Sequence, residues 1–377
     1  MIPYTHGRVN TNTVSHLTLC QDSLEVAMSK LRAGIIGSKF AARLHAEAYR
    51  KCPDVVLHAV ASPNREHAEA FGKLYNITQV YTDYRSMLDE RSLDLVSVCV
   101  PNYLHKEVTI EAAQRGVPVV CEKPLATSLA DADAMIAACT ENNVKLMYAE
   151  DWLFAPALQR AKQLCDEGAI GKALYIKAKE SHSGSHSLYA QKREFCGGGA
   201  LIHLGIHPIG FVRWLVGKEV AEVTGHISGG GQANLLHPHF EGEDWATATL
   251  LFENGVRAQI DANYITFGGI DDQVEVYGSE GNLRVNLTQS SPIQAFSLHG
   301  LSYATEKSET TAGWTRPAVD EEWALGYPQE LAHFVDCVRY NREPMWGARG
   351  VDGLEALRIV TATYASAASG RCLALTR

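Results

Sequence analysis

From residue 31 onward the chain alternates short, unbroken apolar runs with stretches whose apolar residues recur at helical spacing. "LRAGIIG" is followed by "FAARLHAEAYRKC", "VVLHAVAS" by "NREHAEAFGKLYN", and "DLVSVCV" by "HKEVTIEAAQRG". "VPVVCEK" then leads into "SLADADAMIAACTENN", and "VKLMYAE" closes the series. Runs without polar alternation are strands buried on both faces, and strands separated by helices pair in parallel. The pattern predicts an α/β, doubly wound parallel sheet over 31–150, with ligands at the carboxyl ends of its strands.

After Glu150 the pattern changes. "LYIKAKESH" has strand character, and "WATATLLFENGVRAQIDANYI" reads as two alternating strands around Glu253-Asn254-Gly255. "QVEVYGSEGNLRVN" repeats the device at Gly278 to Gly281. An α+β domain on a mostly antiparallel sheet, open on one face, is expected over 151–377. It would bind substrate and form a homodimer or homotetramer through that face. Residues 1–30 are polar, with no basic start and no continuous apolar stretch, so they read as a loosely ordered extension rather than a signal peptide.

Composition narrows the class. A net charge of −9 disfavours a nucleic-acid binder, which needs a basic face to offset phosphate charge. No apolar run approaches the ~20 residues that cross a bilayer. The nine cysteines are scattered, with no C-x-x-C pair, which points to reduced thiols and a cytoplasmic setting rather than to disulfides or zinc.

A doubly wound sheet should carry a phosphate site in its first strand-to-helix turn. That turn is Gly37-Ser38-Lys39-Phe40-Ala41-Ala42, where a Rossmann dinucleotide fingerprint has G-x-G-x-x-G or A. The middle glycine is replaced by Lys39, whose ammonium either faces a diphosphate or points to solvent. The second strand ends in Ser62-Pro63-Asn64-Arg65, without the acid that usually takes the ribose hydroxyls. Ser62, Asn64 and Arg65 would serve the ribose or a 2′-phosphate, so the cofactor is NAD or NADP.

"VCVPNYLHKE" at 98–107 and "VVCEKPLA" at 119–126 resemble the glucose–fructose oxidoreductase and inositol dehydrogenase (Gfo/Idh/MocA) family. The similarity spans nearly all of 31–377 and includes "VYGSEGNL" and "HFVDCVRYNREP". It implies that Pro101, Asn102 and His105 belong to the cofactor loop and that Lys123 lies where nicotinamide meets sugar. It further implies that Glu122 orients the lysine, often with a cis bond to the following proline. In "GGGALIHLGIHPIGFVRWLVG", His207 matches the family's general base. The family's aspartate four residues earlier is replaced by His203, so Glu150, Asp151 or Glu180 must substitute, or the chemistry differs. His203 and His207 also have the i, i+4 spacing of a metal clamp, but the family works mostly without metal and none is expected.

Other residues complete the expected site. Glu150, Asp151 and Trp152 follow the last strand of the first domain and should line the cleft, with Trp152 available to stack on a sugar. Glu180, His182 and His186 stand in "KESHSGSHS", a loop rich in hydrogen-bonding groups suited to a polyhydroxylated or anionic ligand. Tyr189, Tyr264 and Tyr327 are further candidates. His237 and His239 fall in an irregular loop. The expected function is NAD(P)-dependent oxidation of a CH–OH group on a sugar, cyclitol or sugar derivative. The alternative is an NAD-dependent redox glycoside hydrolase, acting for example on a sulfoquinovoside, which the altered aspartate position favours.

Overall fold

The computed structural model describes residues 29–375 apart from 91, 186, 301–306 and 309. Nearly all of the N-terminal extension, and His186, therefore lie outside the described residues. The strands are β1 (Leu31–Ile36), β2 (Val55–Ala61), β3 (Gln79–Tyr81), β4 (Leu95–Val98), β5 (Val119–Cys121), β6 (Leu146–Tyr148), β7 (Ala173–Ser181) and β8 (Val220–Ile227). They continue with β9 (Trp245–Phe252), β10 (Arg257–Asn263), β11 (Gln273–Gly278), β12 (Asn282–Asn286), β13 (Ala295–Ser297), β14 (Gly313–Thr315) and β15 (Leu373–Ala374).

The first six form one sheet in the order β3-β2-β1-β4-β5-β6, with every neighbouring pair parallel. The order reverses between β1 and β4, which opens a crevice beyond their carboxyl ends. At Gly37 the backbone has φ +126°, and a Cβ there would lie 2.2 Å from the Cys99 carbonyl oxygen. Only glycine allows the ends of β1 and β4 to come this close.

The second sheet has the order β12-β11-β7-β10-β9-β8-β15. Its pairs are antiparallel except β7 with β10, which no hairpin connects. Both expected hairpins form, with Gly255 at φ +85° in the first and the Gly278 N–H donating to the Gly281 carbonyl in the second. Alternate residues such as Ile176, Ala178, Leu250 and Ile260 are buried, and their neighbours Tyr175, Gln259 and Glu275 lie on the opposite face. The period-2 pattern thus leaves one face of this sheet uncovered in a single chain. The short ribbon β13–β14 was not foreseen, because three-residue strands are too brief to show alternation.

Helices Ile206–Val216 and Gly350–Ser369 fill the space between the sheets. One core runs from Val98, Cys121 and Tyr148 through Ile209 to Leu250, Ile260 and Leu357. Among the described residues, the one stretch long and apolar enough to cross a membrane is Arg193–Val216, and 83% of its most apolar window is buried in this core. The carboxyl ends of β4, β5 and β6 consequently face β7 and the start of helix Ile206–Val216 across a shared cavity.

Candidate active site

Strand β5 is wholly buried and delivers Glu122 and Lys123 at its carboxyl end, followed by a cis Lys123–Pro124 bond. Glu122 does not reach the lysine ammonium. Its Oε2 accepts from the Lys123 backbone N–H at 3.0 Å, and its Oε1 lies 2.9 Å from His45 Nε2. His45 is fully buried, and its Nδ1 is 2.9 Å from Ser97 Oγ, which in turn meets the Tyr49 hydroxyl at 2.8 Å. Burial alone would raise the Glu122 carboxyl, but the His45 contact and the charges of His45 and Lys123 hold it below its ordinary value. An anchored carboxylate thereby fixes the backbone that carries Lys123.

The facing segment begins with Gly197-Gly198-Gly199, and the close approach expected there is real. A Cβ on Gly199 would sit 2.0 Å from the Glu243 carbonyl oxygen. A π-helical turn, Leu201–Gly205, follows. In a π turn the carbonyl of residue i accepts from the N–H of residue i+5, which for His203 is Pro208, a residue with no N–H. Lys123 Nζ instead donates to that His203 carbonyl at 3.0 Å.

The His203 ring is engaged on both sides. Asn102 Nδ2 can only donate, so His203 Nε2 accepts from it at 3.1 Å. Nδ1–H is then left to donate to the Tyr264 hydroxyl at 2.8 Å. Burial, reinforced by the charges of Lys123 and Lys307, pushes the ring down to about 3, so His203 is neutral at working pH. Both ring nitrogens of His203 are thus committed to these hydrogen bonds.

His207 lies one turn on and is also buried. Its Nδ1 is 2.5 Å from Glu150 Oε1 and 3.1 Å from Asp151 Oδ1, while Nε2 faces the cavity. The donor atoms of these three residues lie within 4.8 Å of one another. Gly210 makes room, since a Cβ there would stand 3.2 Å from Glu150 Cγ. Burial drives both acids toward the neutral form, Glu150 to about 8 and Asp151 to about 7, and lowers His207. Trp152 is 1% exposed and stacks on the His207 ring at a centroid distance of 6.1 Å. Asp151 and Trp152 line the cavity as expected, Trp152 also bracing the imidazole, whereas Glu150, expected there too, is fully buried behind His207 and does not reach the cavity.

The cavity between the domains has a volume of about 180 Å³ and is lined by Lys123, Asn102, His203, His207, Glu180 and His182, among others. Tyr189, Tyr264 and Tyr327 line it too. Asp272 and Lys307 also reach it and had not been singled out, because each stands in a stretch whose pattern gives no sign of facing the crevice. His45, Ser97 and Tyr49 were missed because they read as ordinary positions on a helix and a strand. His237 is structural, with Nε2 2.7 Å from the Tyr264 carbonyl and its ring stacked on Phe240.

On the cofactor side, helix Phe40–Lys51 starts at the Gly37 turn with no side-chain cap and no acid in its first turn. Its leading N–H groups and the Ser38 hydroxyl are donors of the kind that hold a diphosphate, so these residues fit a dinucleotide. Phe40, Ala41 and Asn102 line the adjoining cavity, next to Pro101. Lys39 is exposed, in line with the solvent-facing reading, and its Nζ lies 3.3 Å from His67 Nε2. At the end of β2, Ser62 Oγ meets Ser38 Oγ at 2.9 Å. Asn64 accepts from the His67 N–H as a helix cap, and Arg65 pairs with Glu69, so neither side chain is turned toward a ribose as expected. His105 lines the cavity and also acts as a staple. Its ring nitrogens meet the carbonyls of Val100 at 3.0 Å and Pro124 at 2.9 Å, joining the cofactor loop to the lysine loop.

Comparison with known proteins agrees with this geometry. Residues 31–150 match the oxidoreductase family with NAD-binding Rossmann fold, and 162–375 match that family's C-terminal alpha/beta domain. D-apiose dehydrogenase of Paraburkholderia graminis is 30% identical over 357 residues, covering 92% of this chain and 90% of that protein. The scyllo-inositol 2-dehydrogenase (NAD(+)) of Bacillus subtilis is 27% identical over 78% of this chain and 81% of its own length. Among solved structures, GenD2 from gentamicin A biosynthesis, in complex with NAD, superposes with a TM-score of 0.86 at 25% identity. It covers 93% of this chain and 98% of that one. The aldose-aldose oxidoreductase of Caulobacter crescentus, complexed with glycerol, gives 0.76 at 28% identity, over 92% and 100% of the two chains. With both of its domains matched in order, this chain belongs to the Gfo/Idh/MocA family of NAD-binding oxidoreductases.

Proposed function

We propose that this protein is an NAD-dependent dehydrogenase that oxidises a secondary hydroxyl of a sugar or cyclitol, with Lys123, His207 and Glu150 as its working groups. The observation that carries the reading is His207, whose Nδ1 is held by two buried acids while Nε2 faces a cavity shared with Lys123. The apiose and inositol dehydrogenases among its relatives support a carbohydrate substrate.

Bound NAD supplies the hydride acceptor. Around neutral pH the acids at about 7 and about 8 share roughly one proton. An ionised carboxylate therefore remains to accept the His207 Nδ1–H. This selects the tautomer with a free Nε2 lone pair, and Nε2 takes the substrate hydroxyl proton. Lys123 gives one N–H to the His203 carbonyl and keeps the others for the reacting oxygen, where its charge stabilises the developing negative charge. His203 is neutral and doubly hydrogen-bonded, so it positions Asn102, Tyr264 and the lysine and moves no proton.

The altered aspartate position was one ground for a redox glycosidase. Glu150 and Asp151 beside His207 offer a replacement acid and so support the dehydrogenase reading instead. The uncovered face of the second sheet supports assembly into a homo-oligomer. The dehydrogenase reading is tested by incubating the enzyme and NAD with a panel of aldoses, cyclitols and aryl glycosides. NADH should form in proportion to substrate consumed. Aglycone release without net NADH would overturn the reading.

A further inference from the structure

Glu180, near the end of β7, lines the cavity and is only 8% exposed. Its Oε2 is buried without a hydrogen-bond partner, and His207 Nε2 lies 3.9 Å from it. An acid withdrawn from water without a donor is destabilising, and burial holds this carboxyl well above the ordinary range. The fold gives Glu180 no evident duty, since β7 is held by main-chain pairing to β10 and β11. The oxidation step gives it none either, because Lys123, His207 and Glu150 suffice for one hydroxyl.

The spacing is informative. At 3.9 Å, His207 Nε2 and Glu180 Oε2 are too far apart to bond each other. They are close enough for two adjacent substituents of one ring to reach both, one at each atom. We propose that Glu180 is a recognition residue that accepts from a hydrogen-bond donor on the carbon next to the one oxidised. The substrate class is then a vicinal diol or the corresponding amino alcohol. Glu180 touches substrate but not the reacting atoms. This subsite rests on the dehydrogenase reading above.

The test uses the full-length enzyme saturated with NAD and a panel of myo-inositol, D-glucose and D-xylose. Each is compared with its deoxy and amino analogues at the neighbouring carbons, in wild type, Glu180→Ala and Glu180→Gln. Wild type should prefer the donor-bearing compound over the deoxy analogue in kcat/KM by about fivefold or more, the scale of a hydrogen bond between neutral groups. Glu180→Ala should bring that ratio to near one while Tm and NAD affinity hold or rise, because an uncompensated buried acid has been removed. Glu180→Gln keeps an acceptor oxygen but cannot ionise beside a cation, so it should retain the preference for a hydroxyl and lose one for an ammonium. The proposal is overturned if Glu180→Ala, folded by its Tm, discriminates as wild type does at every neighbouring position. It is equally overturned if wild type accepts the deoxy analogues as well as their parents. No NADH from any panel member would instead contradict the dehydrogenase reading, and the subsite would fall with it.

Discussion

The Nδ1 atom of His207 lies 2.5 Å from Oε1 of Glu150, a residue 57 positions earlier in the chain. This contact gives His207 a buried acid partner in a chain that has His203 four residues before it. Glu150→Gln keeps the shape but can present its amide N–H to Nδ1, which favours the tautomer with a protonated Nε2. We expect kcat to fall by about 10²-fold or more, the scale of a lost general base, with NAD affinity unchanged in a fluorescence titration. A variant within a few-fold of wild type would show that the contact does not orient the base.

Much of the fold was legible because buried parallel strands and a half-covered sheet leave different hydrophobic periods in sequence. Lys123, Asn102 and His207 could be named because each stands in a motif with fixed spacing. Glu150 was placed at the right strand end and named among the acids that could replace the aspartate, but it was also expected to line the cleft, which it does not. Its side-chain direction depends on the helix bearing Gly210, which comes from a different domain. Arg65 was expected at the ribose, but the nearby Glu69 pairs with it, and local sequence does not reveal which rotamer wins. The His45–Glu122 link joins a helix to a strand end 77 residues away and leaves no local pattern at all.

The acids around His207 set the pH response. Burial raises Glu150 to about 8 and Asp151 to about 7, and a proton must leave this cluster before Nδ1–H has an ionised acceptor. The kcat/KM for oxidation should therefore climb with pH through that interval. Asp151→Asn removes the acid that ionises first and leaves Glu150, at about 8, as the acceptor, so it should move the climb to higher pH. A pH–rate profile that is flat there in wild type, or moves downward in the variant, would contradict this arrangement.

Glu330, on helix Tyr327–Arg339, is 1% exposed, and burial beside Asp151, Glu122 and Glu150 holds it well above the carboxylate range. A folded-state pKa raised above the unfolded one gives stability that is present below the ordinary carboxylate pKa and lost as pH rises toward the folded value. Glu330→Gln should abolish that loss. Its Tm should gain on wild type steadily between about pH 5 and pH 9. A constant difference across the range would mean that Glu330 does not titrate in this way.

His203 and His207 should separate cleanly. His207→Ala removes the base and should lower kcat by about 10²-fold or more, while His203→Ala, which loses only positioning bonds, should cost clearly less. Wild-type activity should survive a chelator. Equal defects in the two variants, with stoichiometric metal in the purified protein, would replace this mechanism with a metal-dependent one.

The central claim is that Lys123 acts on the reacting hydroxyl during transfer to NAD. The direct measurement is single-turnover NADH formation by wild type and Lys123→Met, on any panel substrate that wild type oxidises, with NAD affinity titrated in parallel. The account predicts a rate lower by about 10²-fold or more with the fold and NAD affinity preserved. A variant that binds NAD normally and forms NADH at close to the wild-type rate would contradict it.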